Sequence, residues 1–311
     1  MIHLLSPGDP DQRTGGYLYN RRVVDAWRAR GRDVAVHAVD GVWPLPGGSG
    51  GLPTVAPGDR VLADGLLWTG LGPARRSLRE ARVTVLVHLA LHEDSGLTAL
   101  ERDRRRALEA AALAEADAVV VTGEPTRLAL EARSVLVPPG LDAREPSVGS
   151  PLALLTVATV TPRKAFDDLV RVLDGVDRPW TWTVAGSLDR DPEEARRLRE
   201  AVAARGWSGR VRLLGELDDT GMREVYRSHG LLLHAAHHEP WGMALQEALG
   251  HGLPVVSRAA GALEAAPAGS YEVFDSVAEG RAALLAVLDA ATAYGEAART
   301  SRWPTWEETA E

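Results

Sequence analysis

The sequence predicts an α/β protein with two parallel, doubly wound sheets, and three observations lead to that prediction. Short apolar runs of strand length alternate with stretches of helical periodicity along the chain. The alternation is interrupted once, by a segment rich in charged residues, Pro, Gly and Ser at Asp142–Pro151, and then restarts. The length of 311 residues is enough for two domains that each have a core.

In the first half, Ile2–Leu5 is the first predicted strand, followed by a helix over Tyr17–Ala29 that Gly31 ends. A Pro/Gly-rich loop is predicted over Gly41–Gly58 and a long helix from about Leu97 to Ala116. The other predicted strands are Val34–Val39, Arg60–Ala63, Val83–Val87, Ala118–Thr122 and Ser134–Val137. Strands that alternate with helices favour a parallel sheet.

In the second half, the predicted strands are Leu152–Val157, Trp180–Ala185, Val211–Leu214, Gly230–His234 and Pro254–Ser257. The predicted helices are Phe166–Leu173, Pro192–Ala204, Met222–Ser228, Gly242–Gly250 and a last helix over Val277–Ala290. Ligands of such sheets bind beyond the carboxyl ends of the strands. A cleft between two facing domains is therefore the expected binding site.

Composition excludes several classes of function. A net charge of −8 and a pI near 5.7 argue against a nucleic-acid partner. There is no cysteine, which removes disulfides, thiolate catalysis and cysteine-ligated metals. Neither a signal peptide nor an apolar run near the roughly 20 residues of a membrane span is visible. We expect a soluble, cytoplasmic protein, and a peripheral membrane contact stays open.

The segment His237–Ser257 places a polar loop before a helix. The first backbone amides of a helix have no intrahelical partner, and the helix dipole adds positive character there, so this end suits a phosphate. Gly242 leaves room for a close approach, and carboxylates such as Glu239 and Glu247 accept hydrogen bonds from sugar hydroxyls. Two carboxylates alone are more often solvated surface groups.

The wider pattern resembles the retaining glycosyltransferases of family 4, with their E-x7-E signature E-(P/G)-(aromatic)-G-x4-E-A-x3-G-x-P-V-V. The matching residues are Glu239, Pro240, Trp241, Gly242, Glu247, Ala248, Gly252, Pro254, Val255 and Val256. The resemblance implies that Glu239 contacts the donor sugar and acts in catalysis, and that Glu247 contacts the donor ribose. It also implies that backbone amides at Gly242, Met243 and Ala244 meet the sugar or its diphosphate.

A second resemblance lies in the first loop of the second domain, at Thr156–Leu173. The family pattern G-R-L-x3-K-G clamps the diphosphate with an Arg and a Lys, and Lys164 occupies the Lys position. Thr159 replaces the Arg and Ala165 replaces the last Gly, so Arg163 is the candidate for the missing charge. Similar enzymes of this family carry the form A-T-x-T-P-R-K at this point.

The first domain carries weaker signals. Gly15 and Gly16, which alone would read as a turn, resemble the Gly-Gly pair that the family places against the donor phosphates. His88 ends a strand and resembles the active-site histidine beside the donor sugar. His92 and Glu93 follow closely and are candidates for binding the acceptor, although a solvated loop is the simpler interpretation.

The resemblance as a whole implies a GT-B fold, with two Rossmann-like domains facing across a cleft. Residues 1–145 would bind the acceptor, residues 150–292 the donor, and the tail 293–311 would cross back toward the first domain. The implied reaction is a metal-independent, retaining, hexosyltransferase-like transfer from a nucleoside-diphosphate sugar, with a UDP-sugar favoured over a GDP-sugar and no separate cofactor. Asp189 and Asp191 precede a helix, where an Asp is a plausible cap, which gives little weight to a metal site.

Three alternatives stay open: a sugar-nucleotide epimerase, a sugar phosphorylase, and a catalytically silent nucleotide-sugar binding subunit, the last encouraged by Thr159. The acceptor, a small molecule or a glycan, does not follow from the sequence. The same holds for the donor base and sugar, the pathway and the oligomeric state.

Overall fold

The structure is a computed structural model that describes residues 1–41, 43–44 and 52–311. The chain forms two compact units, the first made of Met1–Gly140 with Pro304–Glu311 and the second of Leu141–Trp303. Each unit contains a parallel six-stranded sheet with flanking helices, which confirms the predicted fold class. In the described ranges, no helix is both long and apolar enough to cross a membrane.

The sheet of the first unit has the strand order β2-β1-β3-β4-β5-β6. Its strands are β1 (Ile2–Pro7), β2 (Val34–Val39), β3 (Arg60–Asp64), β4 (Arg82–Val87), β5 (Ala118–Val121) and β6 (Val135–Leu136). Its first four helices are α1 (Gly15–Ala29), α2 (Gly65–Gly70), α3 (Ala99–Leu113) and α4 (Glu124–Ala129), with 3₁₀ helices at Gly72–Leu78 and Leu91–Glu93.

One face of this sheet packs against α2 and α3. Alternate strand residues such as Ala63 and Val85 are fully buried in a cluster with Leu67 and Trp68 of α2. The indole Nε1 of Trp68 donates to the carbonyl of Ala112 at 2.8 Å. Helix α2, which follows β3, is thereby held against the end of α3.

The sheet of the second unit has the order β12-β11-β10-β7-β8-β9. Its strands are β7 (Ala153–Val157), β8 (Thr181–Ala185), β9 (Val211–Leu213), β10 (Leu231–Leu233), β11 (Val255–Ser257) and β12 (Tyr271–Val273). Its helices are α5 (Phe166–Leu173), α6 (Pro192–Ala204), α7 (Asp219–Ser228), α8 (Met243–Gly250), α9 (Gly261–Glu264), α10 (Val277–Asp289) and α11 (Ala291–Ala298), with a 3₁₀ helix at Pro162–Lys164.

Both faces of the second sheet are covered, which explains its uninterrupted apolar strands. Leu154 faces a cluster that contains Phe166 and Trp182, whereas its neighbour Leu155 faces a cluster that contains Leu245 of α8. A parallel strand buried on both sides has no polar alternation, and Leu231–Leu233 is the clearest case.

The prediction that Val277–Ala290 is the last helix was wrong. It ends at Asp289, and two helices follow, α11 and α12 (Trp306–Thr309). Trp306 of α12 is buried in the first unit and meets Tyr19 edge-on at 5.6 Å. Sequence reasoning also missed α2, α4, α9 and β12, because these elements are short and α2 begins and ends with Gly.

The predicted loop over Gly41–Gly58 lies partly outside the described residues. Its described part at 52–58 contains no helix or strand. The other strand and helix predictions agree with the structure within a few residues at their ends.

Candidate active site

Two loops at the carboxyl edge of the second sheet bring three predicted residues together. The 3₁₀ turn after β7 carries Arg163 and Lys164, and the loop after β10 carries Glu239. The ammonium group of Lys164 donates to the carboxylate of Glu239. The guanidinium Nη1 of Arg163 lies 3.9 Å from the same carboxylate oxygen. Lys164 is also the only lysine in the sequence.

Hydrogen bonds to backbone carbonyls hold the two loops against each other. Arg163 Nη1 donates to the carbonyl of His238 at 2.8 Å, and the amide of His237 donates to the carbonyl of Arg163 at 3.0 Å. Since both loops are tied at several points, the Lys164–Glu239 pair is placed by the fold and not by the two side chains alone.

Ala165 turns the chain from the 3₁₀ helix into α5 with φ 51° and ψ 48°. This left-handed conformation costs a non-glycine residue about 1 kcal/mol. A glycine adopts it freely, which gives a physical reason for the Gly that the family pattern has at this position. The methyl group of Ala165 is buried in the core of the unit, so the alanine recovers part of that cost by packing.

The charges of the cluster control its protonation. Burial alone would raise the pKa of Glu239, but the positive charge of Lys164, with His234 and Arg163, lowers this pKa to about 2. Burial lowers the pKa of Lys164, with Arg163 acting in the same direction and Glu239 against it. Glu239 is therefore a carboxylate at neutral pH, beside two cationic side chains.

His234 belongs to this cluster and was not predicted as a site residue. Its Nε2 lies 3.6 Å from Glu239 Oε2, and its Nδ1 lies 3.3 Å from Ser257 Oγ. Burial, with a smaller contribution from Lys164, lowers the pKa of His234 to about 3, so the ring is neutral at pH 7. Its one sequence signal is that it is the first polar residue after the apolar strand β10.

Gly242 caps the start of α8 in a left-handed conformation, with φ 90° and ψ 63°. A Cβ atom there would lie 3.3 Å from Cγ of Glu239, so Gly242 leaves the space into which Glu239 fits. The amides of Met243 and Ala244 open the helix and have no intrahelical acceptor. The structure thus brings Gly242, Met243 and Ala244 to the same loop as Glu239.

Glu247 lies one turn further along α8 and is half-buried. It faces Tyr226, whose pKa is raised well above its ordinary value by burial and then by the Glu247 charge. The Tyr226 hydroxyl also donates to the carbonyl of Ala244 at 3.3 Å. Tyr226 therefore links Glu247 to the first turn of the helix.

Arg258 follows β11 and is a second residue that sequence reasoning missed. Its Nη2 donates to Asp168 Oδ2 at 2.6 Å, and its Nη1 donates to the carbonyl of Ala235 at 2.6 Å. The guanidinium group also lies 5.5 Å from the ring centre of Phe274. Arg258 thereby ties α5 to the loop that leads to Glu239.

In the first unit, the structure brings Gly16 and His88 together. Gly15 and Gly16 open α1, and a Cβ atom on Gly16 would lie 3.0 Å from Cδ2 of His88. His88 Nε2 lies 3.1 Å from Oδ1 of Asn20, a buried residue of α1 that was not predicted. Burial lowers the pKa of His88 to about 4, so the ring is neutral and Nε2 is the donor in this hydrogen bond.

His92 and Glu93 lie in the 3₁₀ helix after β4. The ring of His92 is 2% exposed, with Nδ1 3.9 Å from Glu109 Oε2 and Nε2 3.4 Å from Glu93 Oε1. Glu109 accepts a hydrogen bond from the amide of Leu91 at 3.0 Å, and burial raises its pKa to about 7. Glu109 thus anchors the segment that follows His88 to α3.

Asp191 caps α6, where its Oδ1 accepts from the amide of Glu194 at 3.0 Å, as predicted. Across the described residues, no three or more His, Asp or Glu side chains form a group that could hold a metal ion.

The pairing of Glu239 gives a testable pH dependence. Its folded-state pKa of about 2 lies below the ordinary 4.5, so the carboxylate contributes stability above pH 4.5 that is lost as the pH falls toward 2. We expect Glu239→Gln to lower the free energy of unfolding by roughly 2 kcal/mol at pH 7, since Lys164 then loses its buried partner, and by far less near pH 2. Urea unfolding at both pH values measures this.

The matched control is Glu296→Gln, on an exposed position of α11. It should leave the free energy of unfolding unchanged at both pH values. An equal loss for Glu239→Gln at pH 7 and pH 2 would contradict the assignment of the ion pair.

A family model matches the part of the chain that contains this cluster. Residues 141–266, which include Arg163, Lys164 and Glu239, match the family described as Glycosyl transferases group 1. The second unit carries a glycosyl transferases group 1 domain. No curated protein sequence matches the chain significantly.

Solved structures of similar fold support the same architecture over both units. Sucrose-phosphate synthase from Thermosynechococcus elongatus aligns with a TM-score of 0.79 at 19% identity, covering 99% of this chain and 96% of that one. Anabaena HepE in complex with UDP-glucose aligns with a TM-score of 0.74 at 15% identity, covering 96% and 92%. The pneumococcal O-GlcNAc transferase GtfA, in complex with UDP and GlcNAc, aligns with a TM-score of 0.63 at 18% identity, covering 82% and 56%. These likenesses establish a GT-B fold around the group 1 domain.

Proposed function

We propose that this protein is a retaining, metal-independent glycosyltransferase that moves a sugar from a nucleoside-diphosphate sugar to an acceptor. The observation that carries the proposal is the Lys164–Glu239 pair beside the first amides of α8, within a glycosyl transferases group 1 domain. UDP-sugars are the favoured donors. Anabaena HepE, which has a similar fold, was solved with UDP-glucose.

The cations of the cluster suit a diphosphate leaving group. As the bond between the sugar and the diphosphate breaks, negative charge grows on the phosphate oxygens. Positive potential for these oxygens comes from the side chains of Lys164 and Arg163. The backbone amides of Met243 and Ala244, which have no intrahelical acceptor, add to it, and no metal ion is needed. Because Lys164 is already held within its loop, little reorganisation is needed when the charge develops.

Glu239 has two functions in this proposal. Without donor it neutralises Lys164, and with donor bound it accepts hydrogen bonds from sugar hydroxyls while the diphosphate takes over Lys164. Glu247, one turn further along α8, would accept from the ribose hydroxyls. Thr159 stands where the family pattern has an Arg. Arg163, whose Nη1 lies 3.9 Å from Glu239 Oε2, supplies positive charge beside the Lys164–Glu239 pair instead.

The first unit is proposed to bind the acceptor. His88 is neutral, and Asn20 fixes its tautomer, so Nδ1 is left as a hydrogen-bond acceptor for a sugar hydroxyl. Gly16 keeps the start of α1 close to this ring. Glu93, on the segment that Glu109 anchors, is the proposed acceptor contact. The ring of His92, predicted with it, is 2% exposed and lies behind Glu93, with Nε2 3.4 Å from Glu93 Oε1, so it supports Glu93 and does not reach the acceptor itself.

The experiment uses the single lysine. Acetylation at mildly alkaline pH modifies two kinds of amine in this chain, Lys164 and the Met1 α-amino group, and mass spectrometry quantifies each. We expect saturating UDP to slow acetylation of Lys164 by roughly tenfold, since bound diphosphate covers the ammonium group. Met1, in the first unit, provides an internal control and should react at an unchanged rate. Equal rates at Lys164 with and without UDP would refute the donor site.

Turnover distinguishes the alternatives. NMR of UDP-glucose, UDP-N-acetylglucosamine and GDP-mannose with mixed acceptors should show a new glycosidic bond of retained anomeric configuration. A new sugar nucleotide without any acceptor would identify an epimerase, and sugar 1-phosphate formed with phosphate would identify a phosphorylase. UDP protection of Lys164 without any turnover would favour a silent binding subunit.

A further inference from the structure

Asp64 ends β3 at the carboxyl edge of the first sheet, close to His88. In the parallel register Asp64 is paired with Leu86 of β4, and His88 follows two residues later. The preceding residue of β3, Ala63, faces the cluster that contains α2, so Asp64 points to the opposite face of the sheet. That face is covered by α1, which carries the buried Asn20. The fold thus brings Asp64, Asn20 and His88 to one corner of the unit.

The side-chain amide of Asn20 presents a different group at each end. Its Oδ1 lies 3.1 Å from Nε2 of His88. Its Nδ2 is buried and completes no hydrogen bond within the described part of the chain. The side chain of Asn20 nevertheless lowers the pKa of Asp64, which is the effect of a donor close to a carboxylate. The amide hydrogens of Asn20 therefore face Asp64.

The orientation of this amide decides which ring nitrogen of His88 carries the proton. Oδ1 can only accept, so it requires a proton on Nε2 and leaves Nδ1 as a hydrogen-bond acceptor. A reversed amide would present Nδ2 to the ring, and the proton would then lie on Nδ1. Asn20 by itself permits both arrangements. An ionised carboxylate can only accept, so Asp64 selects the arrangement that turns Nδ2 of Asn20 toward it.

Helix capping alone does not explain an acid at position 64. Asp64 Oδ1 accepts from the amide of Leu66 at 2.9 Å at the start of α2, and an Asn would cap the helix equally well. Burial raises the pKa of Asp64 to about 6, although the amides of Leu66 and Leu67 and the side chain of Asn20 lower it. Over the described ranges, Asp64 has no ion-pair partner. Since its folded-state pKa lies above the ordinary 3.8, the charged form costs stability as the pH rises through 6.

Two other titratable side chains face this corner. Burial lowers the pKa of His88 to about 4, so the ring is still neutral well below pH 6. Tyr19 meets His88 edge-on at 5.3 Å, and burial raises the pKa of Tyr19 well above its ordinary value. Of these three groups, Asp64 is therefore the one whose charge changes near pH 6.

We propose that Asp64 is a positioning residue of the transfer reaction, which acts through Asn20 to hold the proton of His88 on Nε2. The Nδ1 atom of His88 is thereby kept as the acceptor for a sugar hydroxyl. The use of Nδ1 rests on the proposed function, whereas the tautomer is a property of the three side chains and needs no substrate.

Nitrogen NMR of protein labelled with ¹⁵N-histidine tests the proposal, because the shifts of Nδ1 and Nε2 distinguish the two tautomers from each other and from the imidazolium. The His88 signals are assigned by their absence from His88→Gln. In the parent at pH 7.5 we expect the proton on Nε2. As the pH falls through about 6, protonated Asp64 can donate to Asn20 Oδ1, so the form with the proton on Nδ1 should increase while the ring stays neutral.

Asp64→Asn keeps the cap of α2 but can donate as well as accept. We expect this variant to show a smaller excess of the Nε2–H tautomer at pH 7.5 and no change of tautomer between pH 7.5 and pH 5.5. Because the buried charge is removed, its urea midpoint at pH 7.5 should not fall below that of the parent. The matched control is Asp191→Asn, at the cap of α6, which should leave the His88 signals and the urea midpoint unchanged.

The proposal is overturned if His88 of the parent carries its proton on Nδ1 at pH 7.5, or if its tautomer stays the same down to pH 5.5. The parent titration needs no variant, so it decides even if Asp64→Asn does not fold. With a donor and acceptor pair in hand, Asp64→Asn should lower kcat at least roughly tenfold and leave UDP protection of Lys164 intact. An altered tautomer with unchanged kcat would overturn the positioning role, whereas missing UDP protection in the parent would refute the donor site alone.

Discussion

Lys164→Ala is expected to lower kcat/KM for transfer from a UDP-sugar by about 10²–10³-fold, the usual cost of removing one preorganised group that stabilises transition-state charge. The loss should appear mainly in kcat, because the leaving diphosphate becomes more negative as its bond breaks. Glu239, left without its cationic partner, would also repel the diphosphate. Steady-state kinetics with the donor and acceptor pair found by NMR measure the effect.

Lys164→Arg separates charge from shape. A guanidinium is a planar fork and an ammonium a compact point charge, so we expect this variant to recover only part of the lost activity. Arg196→Ala, at an exposed position of α6, is the control and should leave both kinetic constants unchanged. Full activity of Lys164→Ala would remove Lys164 from the proposed mechanism.

Gly186→Ala is expected to lower the free energy of unfolding of the second unit by about 4 kcal/mol. Gly186 follows β8 with φ 144°, and a Cβ atom there would lie 2.1 Å from the carbonyl oxygen of Ala158. The backbone is held by hydrogen bonds at both residues, from Gly186 N to Gly215 O at 2.8 Å and from Ala158 N to Ala185 O at 2.9 Å. Neither can move without breaking the end of the sheet.

Urea unfolding of this variant is compared with Gly209→Ala, at a glycine whose added Cβ would meet no atom within 4 Å. The control should change the free energy of unfolding by less than roughly 1 kcal/mol. If both variants lost a similarly small amount of unfolding free energy, the backbone at Ala158, after β7, would shift at little cost and the prediction would be wrong. The same chain leads to Thr159 and Lys164, so Gly186→Ala should also weaken UDP protection of Lys164.

The strands were predictable from the sequence because they are buried on both faces. Leu231–Leu233 is a continuous apolar run, and Val255 and Val256 precede a Ser257 that is itself buried, as strands of a parallel sheet covered on both faces do. The short helix α2 was not predictable, since Gly at both ends lowers its helical propensity and burial of Leu67 and Trp68 stabilises it instead.

The candidate site was predictable only where a contiguous motif carries it. Glu239 and Gly242 lie in one such segment, and Lys164 in another. His234 and Arg258 act through partners from other elements of the unit, such as Ser257 of β11 and Asp168 of α5. The sheet order that brings these elements together places β10 between β7 and β11 and does not follow the chain order. Asn20 has no distinguishing feature in the sequence of α1. Only the fold places it against His88, the residue that follows β4.

The packing of α12 has a consequence for biosynthesis. Thr309 Oγ1 donates to the carbonyl of Pro138 at 3.0 Å, and a Cβ atom on Gly140 would lie 2.6 Å from Cα of Trp306. Residues 304–311 thus complete a unit whose strands lie more than 160 residues earlier in the chain. During translation, the strands β1–β6 are synthesised before the 163 residues of Leu141–Trp303, and Trp306 can cover Tyr19 only after those residues have been added. Nascent chains stalled before residue 304 should therefore be more sensitive to protease in residues 1–140 than released chains are.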